Sequence, residues 1–413
     1  MVDLKHAAAI VGIHEHVTRY APDKSELQIQ GESVIKALED AGLTKQDVDG
    51  LLTASSSARN TALNLADYLN MYPRFVDNTT VGGGSFEFHL SHALNAIVAG
   101  RLNCAVITYS SLARSSSVSV GTGGVARFGH PRLEPSPDSF EELYGLTTVG
   151  LYAMIAQRHM HLYGTTSEQL AEIAVATRYH ASMNPEALFR NPITVEDVVN
   201  SRVISSPLHL PDCCVITDGG GAVVVASAEV ARNCRHQPVW VLGAGEAVAH
   251  QGAGKRDLMY IAAHQSHEPA FGMAGVTHQD IDMAMIYDSF TITVLETIED
   301  LGFCAVGEGG KFVSDGNLIS GDGPLPVCGP VGCALGHRSQ HGIAPTPVEI
   351  QEGQAQVPGL ELGRDFFRYL RRADIGQVSE PFDAGTSFVI ARLVERREAG
   401  PAPFEDVQGQ VEA

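Results

Sequence analysis

The chain predicts a layered α/β fold made of two similar halves with a loop-rich segment between them, on three observations. Short apolar runs of strand character alternate with amphipathic helical patterns along the 413 residues. A nine-residue stretch, Ala41-Gly-Leu-Thr-Lys-Gln-Asp-Val-Asp49, recurs as Ala274-Gly-Val-Thr-His-Gln-Asp-Ile-Asp282, each copy between a helix and a strand. From Ser111 to Pro211 the chain carries Ser- and Gly-rich runs, such as Ser115-Ser-Ser-Val-Ser119 and Gly121-Thr-Gly-Gly124, mixed with Pro-rich turns, and reads as an inserted cap.

Each element follows from local pattern. Ala7-Ala-Ala-Ile-Val-Gly12 reads as a buried strand, and Ser25 to Leu38 as an amphipathic helix that stops at Ala41-Gly42. Val48-Asp-Gly-Leu-Leu52 is the next strand, followed by Cys104–Thr108, Gly221–Val225 and Val239–Leu242. The inserted segment carries helical patterns over Val149–Tyr163 and Ser167–Met183. In the second half Met283–Ile286 reads as a strand and Thr291–Leu301 as a helix. After Glu395 the chain turns polar and Pro-containing, a composition that frays into solvent. The expected division is residues 1–110 with 212–245, a cap over 111–211, a second half over 246–395 and a tail over 396–413.

With 44% hydrophobic residues the chain can bury a large core, and 48 acidic against 28 basic residues leave a formal charge of −20. That balance argues against nucleic acid or an anionic membrane as the main partner, because both need clustered Lys and Arg. Any phosphate-bearing ligand must then meet a local basic cluster. The opening Met1-Val-Asp-Leu-Lys-His6 has no basic segment followed by a long apolar run, so cytoplasmic residence is the expectation. Seven cysteines in a large domain do not read as a secreted disulfide framework. Cys328 and Cys333 lack a second matching pair, so no metal is assigned. Glycine clusters at Gly219–Gly221 and Gly307-Glu-Gly-Gly310 fit neither a P-loop nor a dinucleotide fingerprint and read as turns and tight packing.

The stretch Asp77-Asn-Thr-Thr-Val-Gly-Gly-Gly-Ser85 runs three glycines into an Ala-rich helical pattern, which places Ser85 at a helix N-terminus, where free N–H groups favour developing negative charge. This segment, together with Thr147–Tyr152, Ala156–Gly164, Ser206–Cys214, Thr217-Asp-Gly-Gly220, Tyr287-Asp-Ser-Phe-Thr291, Glu299–Cys304 and Leu335-Gly-His337, resembles the thiolase superfamily. Within it the order and spacing resemble the branch of sterol-carrier-protein-x thiolases and lipid-transfer-protein aldolases. The resemblance implies a five-layer αβαβα fold of two similar halves with a loop domain over the active site. It also implies a homodimer, coenzyme A thioester as substrate with no permanently bound cofactor, and a small OB-fold, zinc-ribbon partner protein.

Chemistry of this family acts on the bond beside a thioester carbonyl and needs a nucleophile or base, a proton shuttle and donors for an enolate. The nucleophile's place falls on Ser85, where the family usually carries cysteine. A serine hydroxyl needs an adjacent base to act, and an acyl-serine is an oxoester, from which return to coenzyme A is less favourable. Ser85 therefore reads as nucleophile or as helix N-cap. The family's Gly-His motif maps onto Gly336-His337, with His341 as competitor, and assigns His337 to enolate stabilisation. Tyr287 stands where thiolases carry Asn or His, a position where a phenol can move protons, while Asp288 reads as a cap of the following helix. The second family cysteine lines up on Asp383, which reads as proton shuttle or as part of an ordinary turn. His89 and His92 share one helix face, and His159 and His161 either flank a pantetheine channel or coat the cap. Three activities stay open: Claisen or retro-Claisen acyl transfer, retro-aldol cleavage of a β-hydroxyacyl-CoA, and a non-catalytic acyl-CoA-binding subunit.

Overall fold

The computed structural model describes residues 4–55, 60–115, 147–249 and 257–319, and the backbone alone at 327–328, 382–383 and 388–389. It divides into two units, Met1–Gly336 and His337–Ala413. In the first unit, strands β1 (Ala8–Glu15), β2 (Gly50–Thr53), β3 (Phe75–Asp77), β4 (Cys104–Ser111), β7 (Gly219–Ser227) and β8 (Val239–Trp240) form one mixed sheet in the order β3-β2-β4-β7-β1-β8. β2 runs parallel to β3 and β4, whereas β7 is antiparallel to both β4 and β1. Two short strands, β5 (Val203–Ser205) and β6 (Leu208–His209), pair separately, and β9 (Ala284–Met285) pairs in parallel with β10 (Val327–Cys328). In the second unit β11 (Phe382–Asp383) lies antiparallel to β12 (Phe388–Val389).

Alternation along the strands sorts their side chains to two faces. Ala9, Val11, Leu51, Cys104, Val106 and Val224 pack against helices α1 (Glu26–Ala41) and α2 (Thr61–Leu69). Ala8, Leu52, Ala105, Ile107 and Val225 pack on the other face with Ala93 and Leu94 of α3 (Ser85–Val98). Burying each such Leu or Ile contributes about 1.5–3 kcal/mol, so both faces must be covered. α1 starts at a capping box, with Gln28 N 3.2 Å from Ser25 Oγ and Ser25 N 2.8 Å from Gln28 Oε1, and ends on Gly42 at φ 76°.

The repeated nine residues occupy equivalent structures. A Cβ on Gly12 of β1 would lie 2.3 Å from Ala37 O and 2.9 Å from Ala41 N of α1. Gly243, just beyond β8, stands in the same relation to the helix Ala263–Ala274, 2.3 Å from Ala270 O and 2.9 Å from Ala274 N. Both helices end on a left-handed glycine, Gly42 or Gly275. Thr44 then donates through N and Oγ1 to Asp47, at 2.8 and 2.7 Å, as Thr277 does to Asp280 at 2.8 Å each. The sequence echo is thus a duplicated helix, turn and strand.

The segment between the halves contributes α4 (Thr148–Tyr163), α5 (Ser167–Met183) and the short α6 (Val195–Val199). Val149, Ala153, Ala156, Leu170 and Ile173 of α4 and α5 share a core with Ile292, Leu295 and Ile298 of the helix Thr291–Asp300. Chain order then runs α7 (Ala228–Ala231), α8 (Ala263–Ala274), α9 (Thr291–Asp300) and α10 (Gly309–Phe312). Among the described residues no helix is long and apolar enough to cross a membrane.

Candidate active site

The loop between β3 and α3 is held at several points before it reaches the glycines. Asp77 Oδ1 accepts from Thr79 N and Thr79 Oγ1 at 2.7 and 2.8 Å, and Asn78 Oδ1 accepts from Ala62 N at 3.0 Å. Gly82 takes a left-handed φ of 87°, which favours glycine there. Gly84 is the N-cap residue and Ser85 opens the helix, so the expectation that Ser85 itself caps α3 is corrected. The Ser85 side chain is fully buried and turns back into the loop: Oγ donates to Gly82 O at 2.6 Å and accepts from Val81 N at 2.9 Å.

His89 and His92, one and two turns on, face the same loop. His89 is buried with Nε2 3.0 Å from Thr79 O, to which it donates; Nδ1 has no partner, and burial lowers the ring's pKa. His92 sits between two carboxylates, Nδ1 against Asp77 and Nε2 3.1 Å from Glu246 Oε2. Burial works to raise Asp77, but hydrogen bonds from Thr79 and His92 hold its carboxyl below the usual range. Neither imidazole is bonded to Ser85 Oγ, whose two hydrogen bonds both go to backbone.

Tyr287 reaches this loop from β9. Its neighbour Ile286 is buried in the core, while Tyr287 itself keeps 53% of its surface exposed. A Cβ added to Gly83 would lie 2.7 Å from Tyr287 Cε1 and 3.2 Å from Cδ1 and Cζ, so the phenol ring rests on the bare backbone of Gly83. Burial, then the proximity of Cys214, Tyr152, Asp288 and Tyr109, pushes the phenol up to about 12. Because the ring is half open, this marks its protonation state and carries no stability figure. At neutral pH the Tyr287 phenol keeps its proton.

Sequence reasoning left Cys214 without a chemical role. Its N donates to Ser289 O at 3.1 Å and Cys213 bridges to Phe290, which fastens the 213–214 segment alongside 289–290 and brings Cys214 near Tyr287. The Pro-Asp-Cys-Cys run was the available signal. Burial and then Asp288 push the Cys214 thiol upward, so it is held neutral rather than as a nucleophilic thiolate. Asp288 does not cap α9, whose N-cap is Phe290 with no side-chain bond. Burial instead raises the Asp288 carboxyl.

Several other quoted motifs are structural. Buried Asp218 accepts from Ala21 N, Arg114 N and Ser115 N at 2.8, 2.9 and 2.9 Å, clasping three segments. Asp212 accepts from Thr291 Oγ1 at 2.9 Å and His209 N at 2.7 Å, anchoring the start of α9. His159 is buried between Thr165 Oγ1 at 2.8 Å and Glu299 Oε1 at 3.2 Å, while His161 is exposed on α4. Gly309 and Gly310 pack tightly against Glu299 and Gln169. His337 and His341 lie outside the described residues. Asp383 is described only as backbone, paired with Phe388 in the second unit. Among the described residues no group of three or more His, Cys, Asp or Glu is placed to hold a metal ion.

Comparison with known proteins places the chain in a family. Residues 245–359 match the family model described as thiolase C-terminal domain-like. The chain is 37% identical over 360 residues to a steroid side-chain-cleaving aldolase of Thermomonospora curvata, covering 82% of this chain and 88% of that protein. It is 35% identical over 373 residues to a 17-hydroxy-3-oxo-4-pregnene-20-carboxyl-CoA lyase of Mycobacterium tuberculosis, covering 87% and 93%. Among solved structures an Ltp2-ChsH2(DUF35) aldolase superposes with a TM-score of 0.70 at 35% identity, covering 78% of this chain and 84% of that one. The chain therefore belongs to the thiolase superfamily, in the branch of sterol-carrier-protein-x thiolases and lipid-transfer-protein aldolases, and is an enzyme of acyl-CoA carbon–carbon bond chemistry.

Proposed function

We propose that the chain is a retro-aldol lyase that cleaves a β-hydroxyacyl-CoA into a carbonyl compound and a shortened acyl-CoA. The observation that carries this reading is the closed state of Ser85: its buried hydroxyl is spent on Gly82 O and Val81 N, with no base bonded to it. A retro-aldol reaction needs no acyl-enzyme. Asp288 takes the proton of the β-hydroxyl, the Cα–Cβ bond breaks as the carbonyl forms, and its electron pair passes into the thioester enolate. The neutral phenol of Tyr287 delivers a proton to Cα, and the protonated carboxyl returns one to the phenolate, so the protons balance. The names of the aldolase and CoA-lyase relatives support the same branch.

The proposal includes coenzyme A thioester as substrate with no resident cofactor. It retains His337 as donor to the thioester oxygen and Asp383 as a second proton shuttle, both on family resemblance alone. It further includes the division at 1–110 with 212–245, 111–211 and 246–395, cytoplasmic residence, a homodimer, and a small OB-fold zinc-ribbon partner. The dimer is supported by β3, an edge strand whose Val76 is 49% exposed. The partner is supported by the two-component name of the solved Ltp2-ChsH2(DUF35) aldolase. Full turnover by the isolated chain would remove the partner from the proposal.

Incubation with a β-hydroxyacyl-CoA should release carbonyl product and shortened acyl-CoA in equal amounts, with no acyl adduct on Ser85 by mass spectrometry. Tyr287→Phe should lower kcat by about 10²–10⁴-fold. An acyl group trapped on Ser85 would return the chain to acyl transfer.

A further inference from the structure

At the position of the family's nucleophile the hydroxyl still has a task. Ser85 Oγ bonds Gly82 O at 2.6 Å and Val81 N at 2.9 Å, so one side chain ties together the peptide units on either side of Val81-Gly82, the second of which leads into Gly83. Gly83 in turn is the floor of the Tyr287 ring, with no room for a Cβ. Gly83 is not among the glycines with positive φ, so its backbone suits any residue and only the ring excludes a side chain. Gly84, by contrast, meets nothing within 4 Å. Of these two neighbours, only the one beneath the phenol would press a Cβ against another side chain.

We propose that Ser85 is a positioning residue for Tyr287: its hydroxyl locks the Val81–Gly83 turn, and the bare backbone of Gly83 seats the phenol ring against the reacting carbon. The inference rests on the lyase reading, in which Tyr287 moves the proton and Ser85 stays unacylated. Losing the Ser85 hydroxyl leaves Gly82 O and Val81 N without their partner and frees the turn. The ring then moves off its seat, away from the surroundings it shares with Tyr109, Tyr152, Cys214 and Asp288. A 1 Å displacement of a proton donor costs on the order of 10²-fold in rate.

Three variants of the full chain test this: Ser85→Ala removes the clamp, Ser85→Cys keeps a donor and acceptor but a bulkier and weaker one, and Gly83→Ala lifts the ring without touching Ser85. The readouts are kcat and KM for β-hydroxyacyl-CoA, and the ultraviolet titration of Tyr287, isolated by subtracting the spectrum of Tyr287→Phe. Ser85→Ala and Gly83→Ala should each lower kcat by about 10- to 100-fold with KM within about threefold, and bring the phenol titration down toward that of an exposed tyrosine. Ser85→Cys should fall between wild type and Ser85→Ala, which keeps the test open should the alanine variant misfold. If Ser85→Ala or Ser85→Cys and Gly83→Ala leave both kcat and the titration as in wild type, the positioning role is wrong while the lyase stands. An acyl-Ser85 adduct in wild type, with all turnover lost in Ser85→Ala, would overturn the lyase reading itself.

Discussion

In the N-terminal half, α2 buries Ala62, Leu65, Ala66 and Leu69, all apolar; in the C-terminal half, α9 buries Glu296, Glu299 and Asp300 beside Ile292, Val294, Leu295 and Ile298. The two halves share the duplicated helix, turn and strand, yet their cores close by different chemistry. α9 also packs against α4, α5 and α10, and donors from His159, Gly309 and the segment before α8 reach it. Glu299 meets them, accepting from His159 Nε2 at 3.2 Å and Gly309 N at 2.7 Å, and Asp300 accepts from Ile261 N at 3.2 Å. Burial works to raise Glu299, but His159 and the backbone N–H groups of Gly307 and Gly309 hold its carboxyl below the usual range. A half that carries an extra layer needs buried acceptors, because an unpaired backbone donor costs more than a carboxylate with several partners. Among the described residues α2 carries no such layer, and its buried side chains are all apolar.

Breaking the polar hub should give the largest effect. Glu299→Ala strands His159 and Gly309 N and should cost about 3–5 kcal/mol in chemical denaturation, whereas Leu65→Ala should cost the 2–5 kcal/mol of an ordinary cavity, about the same at every pH. A Glu299→Ala variant as stable as wild type would erase the proposed difference between the halves.

Glu296 is the exception within the hub. Its Oε1 has no partner, and burial, then Asp300, Glu299 and Asp257, push its carboxyl up to about 9. Since the folded pKa lies above the unfolded value, the folded state binds the extra proton. Stability linked to this group is fully present below about pH 4.5, its ordinary value, and falls as pH rises through about 9. Wild type should therefore lose about 4 kcal/mol more than Glu296→Gln between pH 5 and pH 8, read as diverging melting temperatures. Parallel pH profiles would show that Glu296 ionises freely.

The shared plan is tested by the paired glycines. Gly12→Ala and Gly243→Ala each drive a Cβ to 2.3 Å from a helix carbonyl and should each cost about 1–3 kcal/mol, equal within about 1 kcal/mol. A large inequality would mean that the two helix contacts are not equivalent. The smallest effect belongs to the two side chains that close the helices. Lys45 Nζ donates to Leu69 O at the end of α2, and His278 Nε2 to Leu301 O at the end of α9, both at 2.6 Å. Lys45→Met and His278→Phe should each cost about 0.5–1.5 kcal/mol, and a hydrogen-exchange experiment should show faster exchange confined to the last turn of α2 or α9.

Strands β1, β2, β4 and β7, helices α1, α4, α5 and α9, and the duplication were all legible in the residues, with ends displaced by a few positions. These depend on periodicity and on caps such as Ser25 and Gly42, which act within a few residues of chain. The repeat implied a helix ending near Ala274, but the limits of α8 escaped because His264, His267 and Pro269 interrupt its apolar pattern, and its equivalence to α1 rests on the contact of Gly243 with Ala270 and Ala274. The site divided in the same manner. Position in a motif was enough to name Ser85 and Tyr287 as candidates, but the seat of Tyr287 on Gly83 and the place of Cys214 beside Tyr287 join residues roughly 200 and 70 positions apart, and the direction of the Ser85 hydroxyl is set by a turn that no motif encodes. Local pattern encodes which groups a segment carries and which face they occupy. Which groups meet, and therefore which proton moves, is settled only when chain closure brings loop, strand end and cap together at van der Waals distance.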